Sequence, residues 1–342
     1  MRTIVTPLVL LVVAATTACP AVRRPRRPAA PARPSSPTYP GFGFKTTGGA
    51  GRPLFTVKTL ADAGAGSLRE ALAKAARDGG TIRFAVGGAI RLESGLDVPG
   101  RTTIDASSAP APGITLLGAR AGAGGTGVLN LYESNVVLRG LRIRDGMNDG
   151  VHIVPKSKRA VANIVVDHCS ITNSRDGGVD ITGRGGLAVT DVTLVANYIA
   201  GNGGPCGKGL CGGASLANEG ATRLSYYYNL WDKNLRRTPM VSGAGAVADI
   251  RFNVVRGTVQ GNIQIREGAQ ANLVGNTIEG PRGPTAAVTM WGGRAHVDRT
   301  PSDVGSQDNV APLAVPHVPP EKAAADVIRQ AGALPRDGLD SP

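Results

Sequence analysis

Asp176-Gly-Gly-Val-Asp180 sets two carboxylates four residues apart around small residues, and Asp149 lies one repeat earlier. Carboxylates are hard oxygen donors, the kind Ca²⁺ takes in sixes to eights. Two cations follow, Lys208 in a Gly-rich loop and Arg237 ahead of Thr238-Pro239. Taken singly, each has a plainer reading: Asp-Gly is a turn dipeptide, and a lone Lys or Arg beside Gly or Pro is a solvent-facing surface charge. The site reading needs something that brings all five together. His168, after Asp167 in an apolar run, reads as a core or loop-supporting residue. Cys206 and Cys211 bracket Gly207-Lys208-Gly209-Leu210, a spacing that closes a small disulfide in an oxidising compartment. A metal pair is the rival reading, but two further ligands at finger-like spacing are missing. Cys169 reads as a buried small hydrophobe.

The elements that could position these groups recur along the chain. Short β-branched segments carry Leu141, Cys169, Asn197, Asn229, Asn253 and Asn276 at one register position, with successive spacings of 28, 28, 32, 24 and 23 residues. A period of that size with Gly-rich connections signals a solenoid and points to a right-handed parallel β-helix, an all-β fold, over about residues 54 to 290. A β-sandwich would turn every 8 to 12 residues, and these intervals are too long for it. The four Asn residues can stack as an inward ladder, each amide bonding the coils above and below. Counted from Ile143, Ile171, Ile199 and Trp231, which end the repeated strands, Asp149 falls 6 residues later, Asp176 and Asp180 fall 5 and 9 later, Lys208 falls 9 later and Arg237 falls 6 later. Stacked coils are about 4.8 Å apart, so four coils bring these groups to one face within roughly 15 Å. Ser67 to Arg77 reads as a helix with Ser67 as N-cap and Glu70 completing a capping box, suited to cover the open N-terminal end of the solenoid.

Composition agrees. Of 342 residues, 18% are charged and 48 are Gly, which argues against a helical bundle or coiled coil. The net charge of +13 suggests a polyanionic partner: nucleic acid, anionic lipid or an acidic polysaccharide. Six of those charges are arginines within the first 40 residues, which hold no acid, leaving +7 for the body. Met1-Arg-Thr followed by the apolar Ile4 to Ala15 has the length of a secretory signal and is short of a membrane span. Thr16-Thr17-Ala18-Cys19 resembles a lipoprotein cleavage box that would lipidate Cys19, with ordinary cleavage nearby as the alternative. Residues 1–19 are therefore expected to direct bacterial-type export, to the medium or to a lipid anchor in the cell envelope. Residues 20–40, rich in Pro, Ala and Arg, form a semi-rigid tether, and residues 301–342 a tail packing on or trailing the solenoid of residues 41–300.

From residue 41 onward the sequence resembles the pectate lyases of the parallel β-helix type. Gly41-Phe-Gly-Phe, the run from Thr59 to Leu72, Thr81-Ile-Arg-Phe and Thr103-Ile-Asp-Ala look like that family's N-terminal segments. Asn163 to Ile171 is similar to its most recognisable strand, Asp176 to Ile181 to its calcium segment, and Val327 to Asp340 to the end of bacterial members. The resemblance implies cleavage of polygalacturonate by Ca²⁺-assisted β-elimination in a monomer with no nucleic-acid partner. It implies Asp149, Asp176 and Asp180 as calcium ligands, Lys208 as the lysine holding the substrate carboxylate, and Arg237 as the group removing the C5 proton. The sequence departs from the family at Ser242, where a second Arg is common, at Asp176, where Glu is common, and at Met147, where another Asp is found. Two rival functions remain open: a lyase acting on another polyuronate, and a non-catalytic, surface polysaccharide-binding β-helix.

Overall fold

The computed structural model describes residues 38–118, 126–156, 158–206, 209–260, 262–279, 288–300 and 310–334, with the side chains of 206, 209 and 210 left aside. The signal and lipidation expectations, with Cys19 and most of the tether, lie outside these residues, as does Lys208.

The repeat seen in the sequence is the coil of a parallel solenoid. Strands from Leu54–Val57 to Arg294–Asp298 assemble into three sheets, one of ten strands and two of eight. Their strand pairs are all parallel. Each coil contributes one strand to each sheet, so side chains at alternate positions point into a shared axial core. Within it Ile143, Ile171, Ile199 and Trp231 stack in register, all fully buried. A short antiparallel hairpin, Gly204–Cys206 with Gly209–Cys211, departs from this pattern.

The corners explain the register residues. Gly140, His168, Ala196, Tyr228, Phe252 and Gly275 all have positive φ, so each coil bends through a left-handed residue immediately before its ladder position. The ladder itself is continuous. Asn197, Asn229, Asn253 and Asn276 each receive a backbone N–H from the coil before, at 2.8–3.1 Å, and each donates its side-chain amide to a buried carbonyl. Thr300 closes the series by accepting from Asn276. A second ladder, not anticipated from the sequence, sits five residues on: Ser174 N–H donates to Asn202, and Asn202 to Asn234. Its signal was present, since Asn202 and Asn234 repeat the spacing of Asn197 and Asn229.

The helix spans Leu68–Asp78 and is capped by Ser67, whose hydroxyl accepts from Glu70 N–H at 3.1 Å. Glu70 reaches back to Gly66 N–H at 2.7 Å, one residue earlier than a standard capping box. Leu68, Leu72 and Ala75 bury into the same core as the first coils, so the helix covers the N-terminal end. The Gly41-Phe-Gly-Phe segment crosses the ten-stranded sheet, with Phe42 N–H on Ser225 Oγ and Gly43 N–H on Thr193 Oγ1. Gly41 has φ 73°, and a Cβ there would stand 2.2 Å from Ser225 Oγ. The helix Ala324–Gln330 buries Val327 against Tyr198, Tyr228 and Val254.

Candidate functional site

One eight-stranded sheet carries the residues singled out by chemistry. Asp149 opens the strand Asp149–Ile153, Asp176 precedes the strand Gly177–Thr182 that contains Asp180, and Arg237 precedes the strand Met240–Ser242. These strands neighbour one another through Gly213–Asn218. Parallel pairing of Val151 with Val179 and of Ile153 with Ile181 fixes the alignment of Asp149 and Asp180 on adjacent coils.

Gly177 lies between the two carboxylates. Its N–H donates to Asp149 Oδ1 at 2.8 Å. A Cβ placed on it would stand 2.2 Å from Asp180 Oδ1 and 2.9 Å from Asp149 Oδ1, so the two oxygens lie no farther apart than the sum of those distances. Both residues are buried. Burial first, and then the Asp149 and Asp176 carboxylates, push the Asp180 pKa well above the usual range against the pull of Arg237. Asp176 is also raised, by burial and by Asp149, while Arg237 and Arg236 oppose the shift. The sheet thus concentrates mutually repelling anions beside an arginine. Among the described residues, however, no three His, Cys, Asp or Glu groups are close enough to hold a metal ion between them. The three carboxylates influence one another's ionisation without forming a closed three-ligand set.

Two neighbours escaped the sequence reading. His152 Nδ1 lies 2.7 Å from Asp149 Oδ2, and Asn148 donates to the same oxygen at 3.0 Å. The alternation of the strand pointed to His152, since Val151 and Ile153 face the core and the residue between them must face out. Hard oxygens and excess negative charge fit a divalent cation in donor chemistry.

Arg237 is half-buried with φ 60°. Its carbonyl accepts from Ser215 N–H at 2.9 Å, and Arg236 C=O accepts from Ala214 N–H at 2.9 Å, which ties this turn to the preceding coil. Arg236 Nε donates to Gly212 O at 3.1 Å. Burial, helped by Arg237 and Arg266, lowers the Arg236 pKa. Lys208 lies outside the described residues. Ser242 Oγ donates to Glu267 at 2.7 Å.

His168 is away from this sheet, at the ladder corner, 2.5 Å from Asp167 Oδ1. That is the supporting role expected of it. Cys169 is a free, fully buried thiol whose pKa burial pushes up to about 12, as a small core hydrophobe should be.

A family model described as the right-handed beta helix region matches residues 124–300. A probable pectate lyase C of Emericella nidulans is 29% identical over 337 residues, covering 88% of this chain and 72% of that protein. One from Aspergillus terreus is 30% identical over 260 residues, covering 73% and 55%. The chain thus spans little more than half the length of the latter. Among solved structures, a pectate lyase of Bacillus subtilis superimposes with a TM-score of 0.63 at 14% identity, over 89% of this chain and 99% of that one. A Bacillus pectate lyase in complex with trigalacturonate gives 0.57 at 14% identity, over 86% and 98%. At such identities the structural likeness concerns the fold.

Proposed function

Because the chain belongs to the right-handed parallel β-helix family, of the pectate-lyase type, we propose that it is a polysaccharide lyase cleaving polygalacturonate by β-elimination. The observation that carries this reading is the juxtaposition on one sheet of Asp149 and Asp180, facing each other across Gly177, with Arg237 bearing on Asp180. The relatives' names and the trigalacturonate bound by one structural neighbour support the substrate class.

In this elimination the C5 proton leaves, the electron pair forms the C4=C5 bond, the C4–O bond to the leaving sugar breaks, and the departing oxygen takes a proton from water. Arg237 takes the proton. Because the guanidinium keeps its proton up to a pKa above about 12, the neutral guanidine that can accept one is scarce, so turnover should rise toward alkaline pH. Lys208 would hold the uronate carboxylate of the reacting sugar, and Asp149, Asp176 and Asp180 would supply the protein oxygens to a bound Ca²⁺. The cation, when bound, neutralises uronate charge and so acidifies the C5–H bond. His152 and Asn148 orient Asp149, and Gly177 leaves the space between the two carboxylates open.

Export, lipidation at Cys19 and a Cys206–Cys211 disulfide belong to the same reading, as do the division at residues 41 and 300 and the monomeric state. A Cys206–Cys211 disulfide would close the short segment that carries Lys208 into a ring and so stiffen it. The test is absorbance of the unsaturated uronide released from polygalacturonate, with calcium and with a chelator. Calcium-dependent release supports the proposal. Release only from another polyuronate moves the substrate, and binding without release leaves a non-catalytic β-helix.

A further inference from the structure

We propose that Arg266 and Trp291 form a further subsite for one carboxylate-bearing sugar of the same acidic chain, beyond Arg237 along the sheet. The proposal rests on the polygalacturonate reading above and names where a second sugar residue binds. Ser242 pairs with Arg266 on the next coil, and Glu267 N–H donates to Trp291 O at 2.9 Å, so the backbone places Arg266 and Trp291 side by side. Ile263 and Ile265, earlier in the same strand, are fully buried, so alternation turns Arg266 to the outer face that also carries Asp180.

There the guanidinium lies over the Trp291 indole, 4.3 Å from the ring centre. The other arginines that lie over rings among the described residues, Arg139 and Arg223, each have a carboxylate partner at 2.7–2.8 Å. Arg266 has no ion pair among the described residues. Its Nη1 touches only the weak acceptor Met240 Sδ at 3.5 Å, and its Nε has no partner. Glu267, next in sequence, engages the Ser242 hydroxyl instead. A half-buried cation left without a counter-ion, and pressing electrostatically on Arg236, favours an external anion. Trp291 is 52% exposed. It offers an aromatic surface of the kind that packs on the C–H face of a sugar ring while Arg266 receives the carboxylate in its planar fork.

Two variants, R266Q and W291A, test this against the wild type, with R266K as the charge-preserving control. Calorimetric affinities for a galacturonate hexamer and trimer are measured beside steady-state rates on polygalacturonate. Loss of one charge-assisted contact should weaken hexamer binding about tenfold, raise KM by a similar factor, leave kcat within about twofold and recover partly in R266K. Trimer affinity should change less. Should R266Q fail to fold, as thermal melting would reveal, W291A carries the test because its ring is exposed. Wild-type-like hexamer affinity and KM in both variants would overturn the subsite while leaving the lyase reading intact. A wild-type protein that binds hexamer without cleaving it removes the lyase reading, and the binding comparison still decides the subsite; one that neither binds nor cleaves overturns both.

Discussion

Arg237 and Arg236 are adjacent, and the structure gives them different work. Arg236 spends Nε on the Gly212 carbonyl and braces the base of the hairpin, while Arg237 bears on both Asp176 and Asp180. R237K is therefore expected to abolish turnover on polygalacturonate while oligomer binding persists, because Lys keeps the charge and loses the planar fork. R236K should retain most of the rate. Initial rates paired with calorimetry decide this, and the reverse pattern would move the base to Arg236. Asp180 makes a second residue-scale prediction. Its carboxylate is held in a buried site beside two others, so without a cation its charge opposes folding. D180N should melt at the same temperature as the wild type, or higher, in chelator, and should lose the stabilisation that calcium confers on the wild type. A D180N protein still stabilised by calcium to the wild-type extent would remove Asp180 from the cation site.

At the scale of the element, the ladder corners hold the strands in register. Asn229 donates to Leu194 O and Asn253 Oδ1 and accepts from the N–H and the side-chain amide of Asn197. Asn229→Ala leaves buried donors and acceptors on both neighbouring coils unpaired, and the expected loss is about 3 kcal/mol, read from denaturant midpoints. The strand Val161–Asp167, which ends at the His168 corner, carries a pH dependence. Burial opposes ionisation of Asp167, but His168 and then Arg139 outweigh it, and its pKa falls below the usual carboxylate value. Ionised Asp167 thus favours the folded state. That contribution is complete above the ordinary carboxylate pKa and is lost as pH falls through the lowered one. D167N should be less stable than wild type near neutrality, with the difference shrinking in acid; parallel melting curves across that range would contradict it.

On the scale of the whole molecule, the basic body and the acidic substrate set the salt response. A chain with net charge +13 that binds a polyanion gains from long-range attraction, and added salt screens it over about 8 Å at physiological ionic strength. KM for polygalacturonate should therefore rise with salt at constant calcium, with a smaller effect on kcat. Steady-state kinetics over a sodium chloride series measures this, and an unchanged KM would argue against charge steering.

The solenoid was legible in the chain because its cause is local. Each coil must return to the same register, so Leu141, Cys169 and the four Asn residues recur at coil-length intervals, and Ser67 with Glu70 marks the helix that closes the end. Asp149, Asp176, Asp180 and Arg237 could be assigned to one sheet for the same reason. The details of contact were not local. Gly177 as the spacer between two carboxylates, the second Asn ladder and the stacking of Arg266 on Trp291 depend on which atoms face one another across coils 23 to 36 residues apart. Sequence by itself determined the repeat, and with it the face on which the chemistry collects. Only the tertiary structure decided how close the carboxylates stand and that Arg266 lies over Trp291 without an ion pair among the described residues, because those are separations between side chains that no spacing along one coil encodes.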